Sequence, residues 1–253
     1  MAEGSVNYAV DRVGESITRI RLGAPELWPD SVSRPTCVYA IDGESPGLVN
    51  VGHPVQQPAL KAGLRAADIA PESISRVVYN AWSIELVGGA TAWPDADHFV
   101  WSDDMVRPHG YRRRVSSERQ VFEGFARELL SEGPFSDYSI DKVTDFAESF
   151  WPEVSDTLDL IPVANGHRVQ VGKIQLEVVG APGPAEGHVA LWDDAHGRLF
   201  PGHIVHRGMP ERLADVQSYI VSLERLIELE PEVLWPVRGE KRDKAEWALT
   251  GAH

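Results

Sequence analysis

The sequence predicts an α/β fold, two β-rich halves flanking a helical insert, with two sheets packed together and helices outside. Three observations lead there. Short apolar or alternating runs bounded by Pro/Gly-rich turns fill both halves. A helical pattern closes each half. Between them Val121, Phe122, Phe125 and Leu129 fall at amphipathic-helix spacing.

The elements follow in order. Residues 1–15 are small and polar and carry no periodic signal. Residues 16–22 alternate as a half-buried strand, and after a Pro-rich turn 36–41 form a second. The turn at 42–47 leads to a third strand, 47–52, and a loop at His53-Pro54. A helix is expected over 57–64, then a buried strand at 76–79 and an unusual loop over 80–89. Residues 98–101 are strand-like. Helices are expected at about 116–131 and 141–150. Strands return at 168–171, 174–179, 188–192 and 199–200. A helix at about 213–228 precedes a last strand, 233–235. No solenoid-length repeat and no flexible linker is apparent.

Composition narrows the function classes. The chain has 253 residues, enough for a sizeable core, and 43% are hydrophobic, which excludes wholesale disorder. Its net charge of -14 repels phosphate backbones and anionic lipid, so nucleic acid and membrane surfaces are not expected partners. The single cysteine, Cys37, rules out an internal disulfide and a thiolate zinc site. Apolar runs fall short of the roughly 20 residues of a membrane span, and no secretory signal is visible. A cytoplasmic protein is expected.

Five segments carry more information. Leu48-Val49-Asn50-Val51-Gly52 ends a strand in a turn. After a helix, a strand runs without a gap into Asn80-Ala81-Trp82-Ser83-Ile84-Glu85-Leu86-Val87-Gly88-Gly89. Later come Pro182-Gly183-Pro184-Ala185-Glu186-Gly187-His188, Phe200-Pro201-Gly202-His203 and Pro236-Val237-Arg238-Gly239. In order and spacing the set resembles the metallo-β-lactamase fold superfamily over nearly the whole chain. That family's motifs are an Asp-Thr-Gly-like turn, Thr-His-x-His-x-Asp-His-x-Gly-Gly, Pro-Gly-His-x-x-Gly-His, Phe-x-Gly-Asp and Pro-Gly-His-Gly. The resemblance implies a four-layer αββα sandwich of two mixed β-sheets. It implies one domain over 1–253, with the helical insert at about 111–152 as a candidate lid.

The departures from the family pattern bear on chemistry. Carried over one position at a time, the family's metal ligands fall on Ala81, Ser83, Glu85, Leu86, Pro184, His203 and Arg238. A methyl, an isobutyl and a proline ring offer no lone pair, and a guanidinium stays protonated. Glu85 and His203 remain as donors, with Ser83 a poor one. Catalytic zinc takes three protein ligands, so neither metal nor other cofactor is expected.

Each position has two readings. Glu85 is a general acid or base in a cleft at a strand end, or a loop carboxylate capping backbone N–H groups. His203 is a proton shuttle near neutral pH, or a histidine bonded to backbone. Arg238 holds a substrate carboxylate or a developing oxyanion, or pairs with Glu85 to fill the charge left by the metal. Trp82 stacks on a flat substrate or plugs the former metal loop, the plug being preferred. Ser83, Asn80, His53 and His188 are candidate substrate-binding residues; for His188 structural packing is the preferred reading. Arg112, Arg113 and Arg114 read as a solvated run, and His206 as exposed. No nucleophile elbow surrounds Ser83, and Cys37 lies mid-strand, so neither is read as a nucleophile.

The expected function is a metal-independent enzyme of small-molecule metabolism, biosynthetic or specialised by the resemblance. It would use Glu85, His203 and Arg238 for hydrolysis, cyclisation, dehydration or isomerisation. The alternative is a non-catalytic binding protein on the same fold, and a metallohydrolase with an unusual ligand set ranks third. A small organic molecule is the expected partner, with a homodimer left open.

Overall fold

A computed structural model describes residues 7–23, 35–102, 158, 160–205 and 214–243. The helical insert at 111–152, its stripe and arginine run, and His206 lie outside the described residues. Thirteen strands among those described form two sheets. The first, in the order β1-β2-β3-β4-β5-β6-β7, comprises Tyr8–Arg12, Ile17–Leu22, Thr36–Ile41, Gly47–Val49, Arg76–Val78, Asp97–Trp101 and Leu160–Val163. The second, in the order β13-β12-β11-β10-β9-β8, comprises β8 Arg168–Val171, β9 Ile174–Gly180, β10 Val189–Asp193, β11 Arg198–Phe200, β12 Val233–Leu234 and β13 Arg242–Asp243. Both are mixed. Pairing is antiparallel from β1 to β4 and parallel from β4 to β7; in the second sheet only β11–β12 is parallel.

Three apolar clusters define the layers. Ile17, Tyr39, Val49, Val78, Leu176, Leu191 and Phe200 pack between the sheets. Alternate residues of the same first-sheet strands, Ile20, Val38, Leu48 and Val77, face the other way and pack with Leu60 and Leu64 of helix α1, Gln57–Ala66. On the far side Val179, Ala190 and Leu199 pack with Leu226 of the last helix, α3, Val216–Glu228. Period-two side chains thus bury both faces of each sheet, which is why Thr36–Ile41 is buried at every position and reads as one continuous run. The result is helix, sheet, sheet, helix: the αββα sandwich.

Sequence boundaries shift by a few residues, as at β4, which ends at Val49 because Asn50 turns into the left-handed region (φ 62°). Three strands correct the sequence reading. β1 lies where no periodic signal was seen; it forms by pairing with β2, Tyr8 opposite Leu22, and Asp11 is held by Arg19 at 2.8 Å. β7 and β13 are likewise created by their neighbours β6 and β12. A short helix, α2 (Ile84–Val87), forms inside the loop 80–89. No helix among the described residues is long and apolar enough to cross a membrane.

Candidate active site

The parallel strands β4, β5, β11 and β12 end at one rim of the sandwich, and the loops following them converge there. A crevice outside the carboxyl ends of strands is the usual ligand position in open α/β sheets. The scaffold beneath it is an amide clamp. Asn50 and Asn80 exchange hydrogen bonds: the Asn50 Nδ2 donates to Asn80 Oδ1 at 2.8 Å and the Asn80 backbone N–H donates to Asn50 Oδ1 at 3.0 Å. The Asn80 Nδ2 then donates to the carbonyls of Val189 and Phe200, each at 3.0 Å, tying the two sheets together. With both amide hydrogens engaged and 1% exposure, Asn80 is scaffold, which corrects its placement among the substrate-binding residues.

His188 is likewise bonded into the scaffold. The His203 backbone N–H donates to His188 Nε2 at 3.0 Å, so Nε2 is an acceptor and the ring proton sits on Nδ1, facing the Ala181 carbonyl at 2.9 Å. This buried neutral imidazole holds the backbone of His203 in place. Gly202 permits the approach: it has φ +63°, and a Cβ there would lie 2.5 Å from His188 Nε2.

Glu85, His203 and Arg238 do come together. Arg238 Nη2 donates to Glu85 Oε1 at 2.6 Å, and His203 Nε2 lies 3.5 Å from Glu85 Oε2. One carboxylate therefore stands between a guanidinium and an imidazole, and the ion pair weighed as the alternative for Arg238 is present. The side chains remain accessible, at 36% for Glu85, 16% for His203 and 19% for Arg238. Each is positioned by distinct contacts. Glu85 lies in the first turn of α2, whose loop is fixed by the Val51 N–H on the Leu86 carbonyl at 2.8 Å. Arg238 sits in the loop after β12, held by Tyr39 Oη on the Pro236 carbonyl at 2.7 Å and the Cys37 N–H on the Val237 carbonyl at 2.7 Å. Glu240 in the same loop is gripped by Arg19 and Arg21 of β2, each at 2.8 Å. These arginines escaped the sequence reading, since β2 shows only that its charges alternate with apolar residues.

The remaining candidates are Trp82, Ser83 and His53. Trp82 is 9% exposed, packs edge-on to Tyr79 at 6.0 Å, and belongs to the core beneath α1. Ser83 is half-buried, and its carbonyl accepts the first N–H groups of α2 from Leu86 and Val87. His53 is 3% exposed and caps the 3-10 turn at Pro54–Gln56: its Nδ1 accepts from the Val55 N–H at 3.3 Å. Burial pushes its pKa down to about 4, against a smaller upward pull from Glu85. A second buried histidine, His98, accepts from Tyr79 Oη at 2.7 Å through Nδ1 and turns Nε2 to the Trp93 carbonyl. The sequence offered no signal for that pair.

A family model described as the Metallo-beta-lactamase superfamily matches residues 94–236, more than half of the chain. The chain belongs to the metallo-beta-lactamase superfamily. Among its relatives is the probable metallo-hydrolase YqjP of Bacillus subtilis, 26% identical over 250 residues that cover 89% of this chain and 72% of that protein. The fold is also that of a metallo-beta-lactamase family protein from Thermus thermophilus, with a TM-score of 0.66, 18% identity, and coverage of 93% and 78% of the two chains. A metallo-beta-lactamase from Pontibacter korlensis superposes with a TM-score of 0.65 at 14% identity, covering 97% and 98%.

The superfamily name implies a metal, and the described side chains of Ala81, Leu86 and Arg238 at this rim do not fit one. Ala81 and Leu86 are apolar members of the core, and Arg238 places a cation on Glu85 where a metal would need lone pairs. Among the described residues no group of three or more His, Cys, Asp or Glu side chains could hold a metal ion.

Proposed function

We propose that this superfamily member is a cytoplasmic enzyme acting on a small organic molecule by acid/base chemistry, hydrolysis foremost, without a bound metal. The supporting observation is the carboxylate of Glu85 shared between Arg238 and His203 at an accessible rim. In this reading His203 carries the proton to or from the substrate. Glu85 orients the imidazole through Nε2, as a carboxylate beside a general base does. Arg238 is a positioning residue that balances the charge of Glu85, in place of the direct substrate contact expected from sequence. The metal of the relatives is replaced by a guanidinium as the local cation. A second reading, a binding protein without turnover, draws on Leu86 at 0% and Trp82 at 9% exposure, apolar core residues beside Glu85.

The test uses protein purified without chelator, analysed for metal, then assayed before and after chelation on chromogenic esters, lactones and β-lactams. Turnover that survives chelation is expected, with Glu85→Gln and His203→Ala each lowering it by roughly a hundredfold. The double variant should be little worse than either single one. Arg238→Lys should retain more activity than Arg238→Gln. About one equivalent of metal, lost on chelation together with activity, overturns the metal-free reading; undiminished turnover in both single variants removes the dyad.

A further inference from the structure

The opposite rim of the sandwich carries a half-open cavity of about 430 Å³. Arg198 opens β11 and Val233 opens β12, whereas His203 and Arg238 follow the far ends of those strands, so this cavity is separate from the rim described above. Its walls include Arg198, Lys173, Lys241, His196, Trp235 and Glu15.

Arg198 is the central feature. It is 8% exposed, and its Nε donates to the buried Asp193 carboxylate at 2.7 Å, which fixes the plane of the guanidinium. Its two Nη nitrogens have no partner among the described residues. Gly14 makes room for them: a Cβ there would stand 3.0 Å from Nη1. A forked donor that is buried, oriented by its own carboxylate and left open at its far end is suited to a planar or tetrahedral oxyanion. Trp235 supplies a second observation. It is 3% exposed and lines the cavity beside Ile174, giving a rigid apolar face next to the Arg198 fork.

The charges around the cavity are mixed. Lys241 pairs with Asp243 at 3.1 Å in an exposed contact, a kind worth little, and Glu15 and Lys173 are exposed side chains at the mouth. His196 Nδ1 lies 3.0 Å from Asp193 Oδ1. Ile174 and Val233 give the cavity an apolar wall.

We propose that this cavity is a binding site for a small organic anion, its carboxylate or phosphate head taken by the Arg198 fork and its short apolar body lying against Trp235 and Ile174. The volume lies within the range of small-molecule sites. On a chain of net charge -14, a built cationic fork is a selective feature rather than a consequence of overall charge.

Isothermal titration calorimetry of the full chain tests this, with sodium phosphate and sodium succinate as probes. Saturable binding of at least one is expected, and the tighter of the two identifies the head group. Arg198→Lys, which keeps the charge and loses the fork, should weaken binding by about tenfold or more, and Trp235→Phe by several-fold. Lys173→Glu, an exposed change that spares the fold, should weaken it measurably even if Arg198→Lys does not fold. Arg238→Gln, at the other rim, should leave it unchanged. No saturation by either probe up to about 10 mM overturns the site. So does affinity that is unaffected by Lys173→Glu, or that is lost with Arg238→Gln.

Discussion

At the scale of single residues, burial decides what the histidines of this chain do. His53 is held neutral, with its pKa down to about 4 because desolvation disfavours the imidazolium. The unfolded chain takes up this proton as pH falls below about 6.5, while the folded chain does so only near 4. Stability from this group is therefore complete above about pH 6.5 and is lost progressively as pH falls toward 4, by about 3 kcal/mol in total. His53→Asn keeps a side chain able to cap the turn and removes the titration. Urea unfolding at pH 7 and pH 4.5 should show the unmodified chain losing about 2 kcal/mol more than this variant; equal losses would refute the assignment. Cys37, 1% exposed, is driven by burial to a pKa of about 11, which agrees with its reading as a mid-strand core residue rather than a nucleophile.

At the scale of elements, the turn after β11 places His203, which is half-buried. Gly202 takes a left-handed conformation against His188 Nε2 and the Asn80 side chain, and His188 in return accepts the His203 N–H. Gly202→Ala should thus destabilise the chain by about 1–3 kcal/mol, from the positive φ and the overlap together. In the tests of the proposed function it should also lower turnover beyond what stability explains, because His203 moves. A melting temperature within about 1 °C of the parent would refute this placement.

For the whole molecule, the inter-sheet core is the common support of both rims. Phe200 meets Tyr39 of the first sheet edge-on at 5.2 Å and stacks on Trp235 at 6.4 Å. Tyr39 in turn holds the loop that carries Arg238. Phe200→Ala should cost about 3–5 kcal/mol, and since the cavity touches both sheets they should melt together. Coincident transitions by tryptophan fluorescence and far-ultraviolet circular dichroism are expected. Two separated transitions would mean that the sheets are independently stable.

The sequence by itself determined most of the strands and helices among the described residues, and its resemblance in motif order implied the αββα layering. Those readings rest on local pattern and on segment order, which the chain writes directly. It also held both meanings of Arg238, and only the fold selected the ion pair, at 2.6 Å. Strands β1, β7 and β13 were not legible because their stability comes from neighbours distant in sequence rather than from their own periodicity. Asn80 suits a ligand contact by residue type, whereas for His188 the sequence already favoured packing. Which partners engage the Asn80 amide is a matter of the other sheet, through the carbonyls of Val189 and Phe200, while His188 meets the Ala181 carbonyl within its own sheet. The Arg198 cavity was invisible for the same reason: a buried guanidinium is defined by the packing of two sheets around it, and no spacing along the chain records that.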